Sequence, residues 1–275
     1  MTDGTLDTIV ALFQGSSLPL FGRIFGPMKM VFLTLFVIDF SWDAGIGLLT
    51  DSSDFWGRMA RKLVVFALLY GFILTIPFWL WRVLDGFAFL AQDLTGLSGL
   101  SPSAVLDTGV DLFFSMFTAW EGIVAFVNPI GLALRLITAL ILLLAFVLIA
   151  AYQLRVLIES ALALGALPFF LAFAGHKLTW GFAEGFLRYV ANLGVRLFVV
   201  YLLIGVGSNL AAIWRSTLEQ ATLFDAFADP QIFIAIPVTA AIWAGLVFKL
   251  PDAIAREITA PISMSALNPM GRASR

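Results

Sequence analysis

The sequence predicts an all-α, polytopic membrane protein with about five transmembrane helices, one re-entrant or broken helix, and amphipathic helices outside the bilayer. Three observations carry this. The 275 residues are 61% apolar and only 12% charged, against roughly 45–50% and about 25% in a soluble domain. Several stretches of 18 or 19 residues carry no charge, near the roughly 20 that a spanning helix needs. The 27 Phe and 8 Trp suit acyl chains and the membrane interface. A chain of this size needs a wet, charged surface to stay soluble, so a soluble enzyme and a disordered protein are excluded. The net charge of −2 provides no footprint for specific nucleic acid binding. With no Cys, disulfides, thiolate catalysis and Cys-based metal sites are excluded.

Taken in order, residues 1–27 form an amphipathic N-terminal segment. Leu6, Ile9, Val10 and Phe13 recur at i, i+3, i+4, i+7, with Asp3, Asp7 and Gln14 opposite, a face for a membrane surface or a partner. Met1-Thr2-Asp3-Gly4 has no positive n-region leading into an apolar run, so insertion is expected to rely on the first span. Residues 28–81 hold the first two spans, 28–49 and 63–81. A shorter first span, 24–38, would avoid Asp39 and Asp43 but would hold Pro27 and Lys29. The longer one leaves Lys29 at an end, from which it can snorkel. Residues 82–135 form a loop with a helix that opens at Ser101-Pro102 as N-cap and N1 and runs through Val127. Residues 136–250 form the membrane core, with spans 136–154, 197–214 and 231–248. Between the first two, 160–175 is short and holds Gly165 and Pro168, so a broken or re-entrant helix held by its neighbours is expected there. Asn128-Pro129 and Asp229-Pro230 are further helix starts. Residues 251–275 are a cytoplasmic tail, polar from Asn268 to Arg275. There is no internal repeat.

Lys and Arg mark the cytoplasmic side. With 160–175 re-entrant, 11 of the 16 basic residues lie on the side of Lys62, Lys177 and the C-terminus, and five lie on the other. If 160–175 spans instead, the first half flips and the count is unchanged, so charge leaves both topologies open.

The spans are poor in chemistry. Apart from Asp39 and Asp43 they hold only weak polar groups, and His176 reads as an interfacial loop residue. No GxSxG, P-loop or paired-carboxylate motif appears, so no catalytic residue, metal ligand or cofactor is expected. Asp39, with Ser41 and Trp42 beside it, is the intramembrane polar feature. A buried acid must face protein or water. No span supplies a clear cation at its depth, so a protonated carboxyl bonded to another helix or subunit is expected, either packing helices or lining a lumen. Gly181, Gly185, Gly194 and Gly205 permit close helix approach, within one subunit or at a seam between subunits. Lys177, Arg188 and Arg196 anchor the cytoplasmic edge or bind an anionic lipid headgroup. Leu6, Phe13, Phe113 and Phe117 are the docking candidates of the two amphipathic helices.

Residues 170–207, FLAFAGHKLTWGFAEGFLRYVANLGVRLFVVYLLIGVG, together with 35–49, LFVIDFSWDAGIGLL, resemble the TrbL family of conjugative transfer proteins. Asp39-Phe40-Ser41-Trp42 matches that family's first span, where an acid precedes an aromatic, a Ser or Thr, and a Trp. TrbL is the counterpart of the sixth VirB component of type IV secretion systems. The resemblance implies a multi-pass subunit of a bacterial inner membrane with periplasmic N-terminus and cytoplasmic C-terminus, which favours the re-entrant topology. It also implies a homo-oligomeric ring, a pentamer. The implied contacts are a minor pilin-like tip subunit, the pilus subunit, a bitopic periplasmic scaffold and the assembly ATPase. A long low-complexity tail found in many relatives has no counterpart before Arg275, so its function does not carry over. The expected role is an inner-membrane platform or channel for pilus assembly and substrate translocation. The alternative is a small-solute channel or secondary transporter, for which internal repeats and polar, discontinuous helices would speak.

Overall fold

The computed structural model describes residues 4–49, 55–96, 101–118, 129–220 and 230–260. They are helical, with no strand among them. The elements are α1 (Thr5–Leu49), α2 (Phe55–Thr95), α3 (Pro102–Thr118), α4 (Pro129–Ala172), a 3₁₀ turn (Phe173–Gly175), α5 (Trp180–Gln220) and α6 (Pro230–Thr259). Among the described residues, α1, α4 with its 3₁₀ turn, α5 and α6 are long and apolar enough to cross a membrane. The expected span 63–81 lies inside α2.

The helices outrun the expected spans. α4 has 44 residues, about 66 Å at 1.5 Å per residue, against a hydrocarbon core of about 30 Å. No reversal separates 136–154 from 160–175, and the two stretches lie on one continuous helix. The helix runs on through Gly165 and Pro168 and turns at Phe173–Gly175. Likewise α1 joins the expected N-terminal segment to the first span through Pro19 and Pro27. α2 runs past Arg82 to Thr95, and α6 passes Pro251 to Thr259. In an apolar setting, ending a helix at a proline exposes several more backbone groups that no water can satisfy. Local adjustment around the single lost bond costs less.

The expected helix starts at Pro102, Pro129 and Pro230 are where α3, α4 and α6 begin. Ser101 caps α3, its Oγ accepting the Ala104 N–H at 3.1 Å. The stretch 119–127, expected to continue α3, lies outside the described residues.

The chain divides into two compact units, and the division falls within the long helices. One unit comprises residues 1–11, 87–157 and 195–254. Its core holds Leu142, Phe146, Ile149, Val200, Ile204, Phe233 and Trp243. Trp243 packs edge-on against Phe146 and Trp214, and its Nε1–H donates to the Leu203 carbonyl at 3.1 Å. A Cβ on Gly207 would fall inside the Trp243 ring, and one on Gly205 against Thr95. In this unit the starts of α1 and α3 cap each other. The Asp7 N–H donates to Ser103 Oγ at 3.2 Å, and the Ser103 N–H donates to Asp7 Oδ1 at 3.3 Å. Each satisfies an N-terminal donor left open by helix geometry, and the carboxylate complements the positive end of the α3 dipole. Asp7 is therefore not on an outward polar face, as the amphipathic pattern suggested.

The other unit comprises residues 12–86, 158–194 and 255–275. In it α1 and α2 form an antiparallel pair joined by stacked rings. Phe66 lies 3.6 Å from Phe36 and 5.3 Å from Phe32, centroid to centroid. The α4–α5 corner packs on α1 through Gly175, where a Cβ would come within 2.5 Å of the Phe32 carbonyl oxygen. Phe170 stacks on Phe186 at 4.3 Å to brace the corner.

Candidate functional site

Phe32, Phe36, Asp39 and Asp43 are spaced by four, three and four residues, which places them on one face of α1. The first two bury against α2 and hold the pair in register. The register continues down the helices. Asp43 and Asp39 lie six and ten residues before the end of α1, and Lys62 lies seven residues into α2. In an antiparallel pair those positions face each other. From the other side, Gly175 admits the α4–α5 corner, which carries His176 and Lys177. The corner is tied by Thr179, whose hydroxyl donates to the Phe173 carbonyl at 2.6 Å. The Thr179 and Trp180 N–H groups both donate to the His176 carbonyl.

The result is a charge cluster built from three chain segments in an apolar surround. Lys62 Nζ lies 2.5 Å from Asp39 Oδ2 and 2.6 Å from Asp43 Oδ2, and it donates to the Asp39 backbone carbonyl at 2.9 Å. Lys177 Nζ completes Asp43, 2.9 Å from Oδ1. Asp39 is fully buried and the Lys62 side chain 7% exposed, whereas Asp43 and Lys177 are about one-third exposed. His176 Nε2 stands 3.6 Å from Asp39 Oδ1, too far for a direct hydrogen bond. Its Nδ1 accepts the Leu178 N–H at 3.1 Å, which assigns the proton to Nε2, facing Asp39. Two carboxylates and two ammonium groups balance, so the cluster can be buried without net charge.

Lys62 corrects the reading of Asp39. The sequence assigned Lys62 to the boundary of the second span and left Asp39 without a cation; the partner is in another span, and it is an ammonium group. Ser41 and Trp42 turn away from the cluster and are exposed. The glycines divide. A Cβ on Gly181 or Gly185 would meet nothing within 4 Å, and both are exposed. Gly194 is buried, and Gly205 packs within its unit. Lys177, Arg188 and Arg196 have separate partners. Each lies near a different carboxylate: Asp43, Glu184 at 3.2 Å and Asp252 at 2.8 Å. Asp252 also accepts the Tyr152 hydroxyl at 3.0 Å, so it ties α4, α5 and α6. Of the docking residues, Leu6 and Phe113 are half-buried and Phe13 is exposed; the Phe117 side chain lies outside the description. Among the described residues, no group of three or more His, Cys, Asp or Glu could hold a metal ion.

Compared with known proteins, residues 36–259 match the family described as TrbL/VirB6 plasmid conjugal transfer protein. The matched region begins three residues before Asp39 and contains every member of the charge cluster. No curated protein matches the chain.

Proposed function

The chain belongs to the TrbL/VirB6 plasmid conjugal transfer family, and on that premise we propose that it is the inner-membrane platform subunit of a conjugative type IV secretion machine, supporting pilus assembly and passage of substrate. The membership makes it a component of conjugal transfer. The platform role is supported by the observation that the described residues include four helices long and apolar enough to cross a membrane, three of them wholly within the matched region, bearing outward apolar side chains. Such a subunit contributes shape and contacts, and its polar groups serve to hold helices together. In this reading several copies form a ring, with the N-terminus in the periplasm and the C-terminus in the cytoplasm. The starts of α1 and α3, joined by the Asp7–Ser103 caps, face the periplasmic partners: the tip subunit, the pilus subunit and the bitopic scaffold. The assembly ATPase is met on the cytoplasmic side.

The test is an in-frame deletion with complementation, read by mating frequency and by pilus counts. Loss of both, restored by the full chain, is expected. A deletion strain that transfers DNA and carries pili at the normal level overturns the proposal.

A further inference from the structure

Histidine is the side chain whose charge changes between about pH 5 and 8, and His176 is the chain's single histidine. Its ring serves two partners at once. Nδ1 accepts the Leu178 N–H at 3.1 Å, and Nε2 faces Asp39 Oδ1 at 3.6 Å. The neutral ring with its proton on Nε2 suits both, whereas an imidazolium carries a proton on each nitrogen. A second proton, on Nδ1, would set donor against donor at the Leu178 N–H. Toward Asp39 it would add no new donor, since Nε2 already carries a proton, but it would add a charge. The charged groups around the ring are Asp39 and Asp43 on α1, Lys62 on α2 and Lys177 beside it. Glu184 and Arg188, farther along α5, pair with each other. Two acids already face two ammonium groups, and Lys62 is closer to Asp39 than the imidazole is. An imidazolium would leave the cluster with a net positive charge beside a fully buried carboxylate, where water screens little.

We propose that His176 is a proton-operated latch on the α4–α5 corner: the neutral ring holds residues 173–180 against α1 and α2, and the imidazolium releases them. A released corner is accessible because the acids do not depend on it. When the corner leaves, Lys62 still pairs with both Asp39 and Asp43. What is given up is the Lys177–Asp43 pair, about one-third exposed on each side, for which water substitutes at small cost. Leu178 is 81% exposed, so its N–H turns to water once the ring no longer accepts it. The His176 side chain is 14% exposed, which gives a proton its way in. Protonation at one nitrogen thus biases an element with two arrangements, in each of which both acids keep a cation.

The single histidine and the absence of Cys make the test direct. The full chain, purified in micelles without a histidine tag and grown on isotope-labelled histidine, gives the NMR signals of one imidazole, which follow its protonation. The same chain with Leu68→Cys on α2 and Leu178→Cys at the corner, both exposed positions, is spin-labelled at the two thiols. Dilution with unlabelled chain restricts the measurement to distances within one copy. Double electron–electron resonance then reads the distance between about pH 8 and pH 5. One distance is expected at the alkaline end and a second, longer one at the acid end. Their ratio should change by up to about tenfold per pH unit, the slope of a single proton, with the midpoint of the imidazole signals. His176→Asn keeps an acceptor for the Leu178 N–H, since an Asn side chain makes the same bond two residues on, and gains no proton. It is expected to hold the shorter distance throughout. One unchanging distance while the ring titrates overturns the inference, and so does a ring that gains no proton in this range. A longer distance that persists in His176→Asn also overturns it, and assigns the change to the carboxylates.

Discussion

Lys62 is the residue whose removal tells most about the charge cluster. Substitution by Met keeps the length and apolar stem of the side chain and removes the ammonium group. Asp39, fully buried, then loses the cation 2.5 Å from its carboxylate, and only the imidazole at 3.6 Å remains near it. Breaking a buried pair on one side costs about 3–5 kcal/mol, because an uncompensated charge stays behind. Asp43 would still have Lys177. The comparison variant, Lys177→Met, removes a one-third exposed ammonium group whose partner keeps Lys62. Its expected cost is about 0–1 kcal/mol, in line with solvent-screened pairs. Unfolding by SDS titration in mixed micelles reads both. The cycle is closed with Asp39→Asn, which removes the charge at constant shape. Lys62→Met combined with Asp39→Asn should recover at least about 2 kcal/mol of the loss, because the double variant no longer buries a lone charge. Equal costs for Lys62→Met and Lys177→Met, or strict additivity of Lys62→Met and Asp39→Asn, would refute the argument that a buried pair organises this unit.

Three further outcomes are expected. Ser103→Ala removes one acceptor of the reciprocal cap and should lower stability by about 0.5–2 kcal/mol. Asp7→Ala should do the same, and the double variant should cost less than the sum, since each half of the cap depends on the other. Gly207→Leu puts a side chain where the Trp243 ring lies and should destabilise by at least about 1–3 kcal/mol, measurable in the same titration; Gly181→Ala, in open space, should be silent there. Reporter fusions after Gly96 should read periplasmic, and those after Thr179 and Ser265 cytoplasmic; a periplasmic signal at Thr179 would contradict the proposed orientation.

Helix starts were legible in the sequence because they are local. Ser101-Pro102 places an acceptor and a missing N–H where a helix N-terminus wants them, and α3 begins there. Helix ends were not, because the sequence was divided wherever a charge or a proline appeared. Charge marks where a helix leaves the acyl region, and has little bearing on where it stops being a helix. Proline disfavours helix by about 3 kcal/mol in water, where the freed groups are solvated. Pro19, Pro27, Pro168 and Pro251 lie in apolar helices whose backbone has no such alternative, so lengths were underestimated at each of them. The amphipathic pattern at residues 6–13 was also real but incompletely informative. It assigned Val10 to a face for a membrane surface or a partner, whereas Val10 is buried, and it gave no reason to suspect that Asp7 caps a helix 96 residues away.

The cluster shows the same limit more sharply. Asp39 was legible as costly, since an acid in a span must be answered. Its answer is not legible from the charge pattern, which puts Lys62 at the edge of a span, because the relevant coordinate is distance from the facing ends of α1 and α2. Asp43 and Asp39 precede the end of α1 by six and ten residues, and Lys62 follows the start of α2 by seven, so the pairing is arithmetic once both helix ends are known. His176 and Lys177 could not be reached that way. They are 133 or more residues from Asp43 in sequence, and what brings them in is a glycine: Gly175, whose missing Cβ lets the corner touch the Phe32 carbonyl. Burial of Asp39 therefore depends on a small residue that carries no charge of its own. That ordering also explains why the cluster is neutral. α1 contributes two acids on one face, α2 returns one ammonium group, and the corner supplies the second, so that two acids meet two bases beside apolar rings.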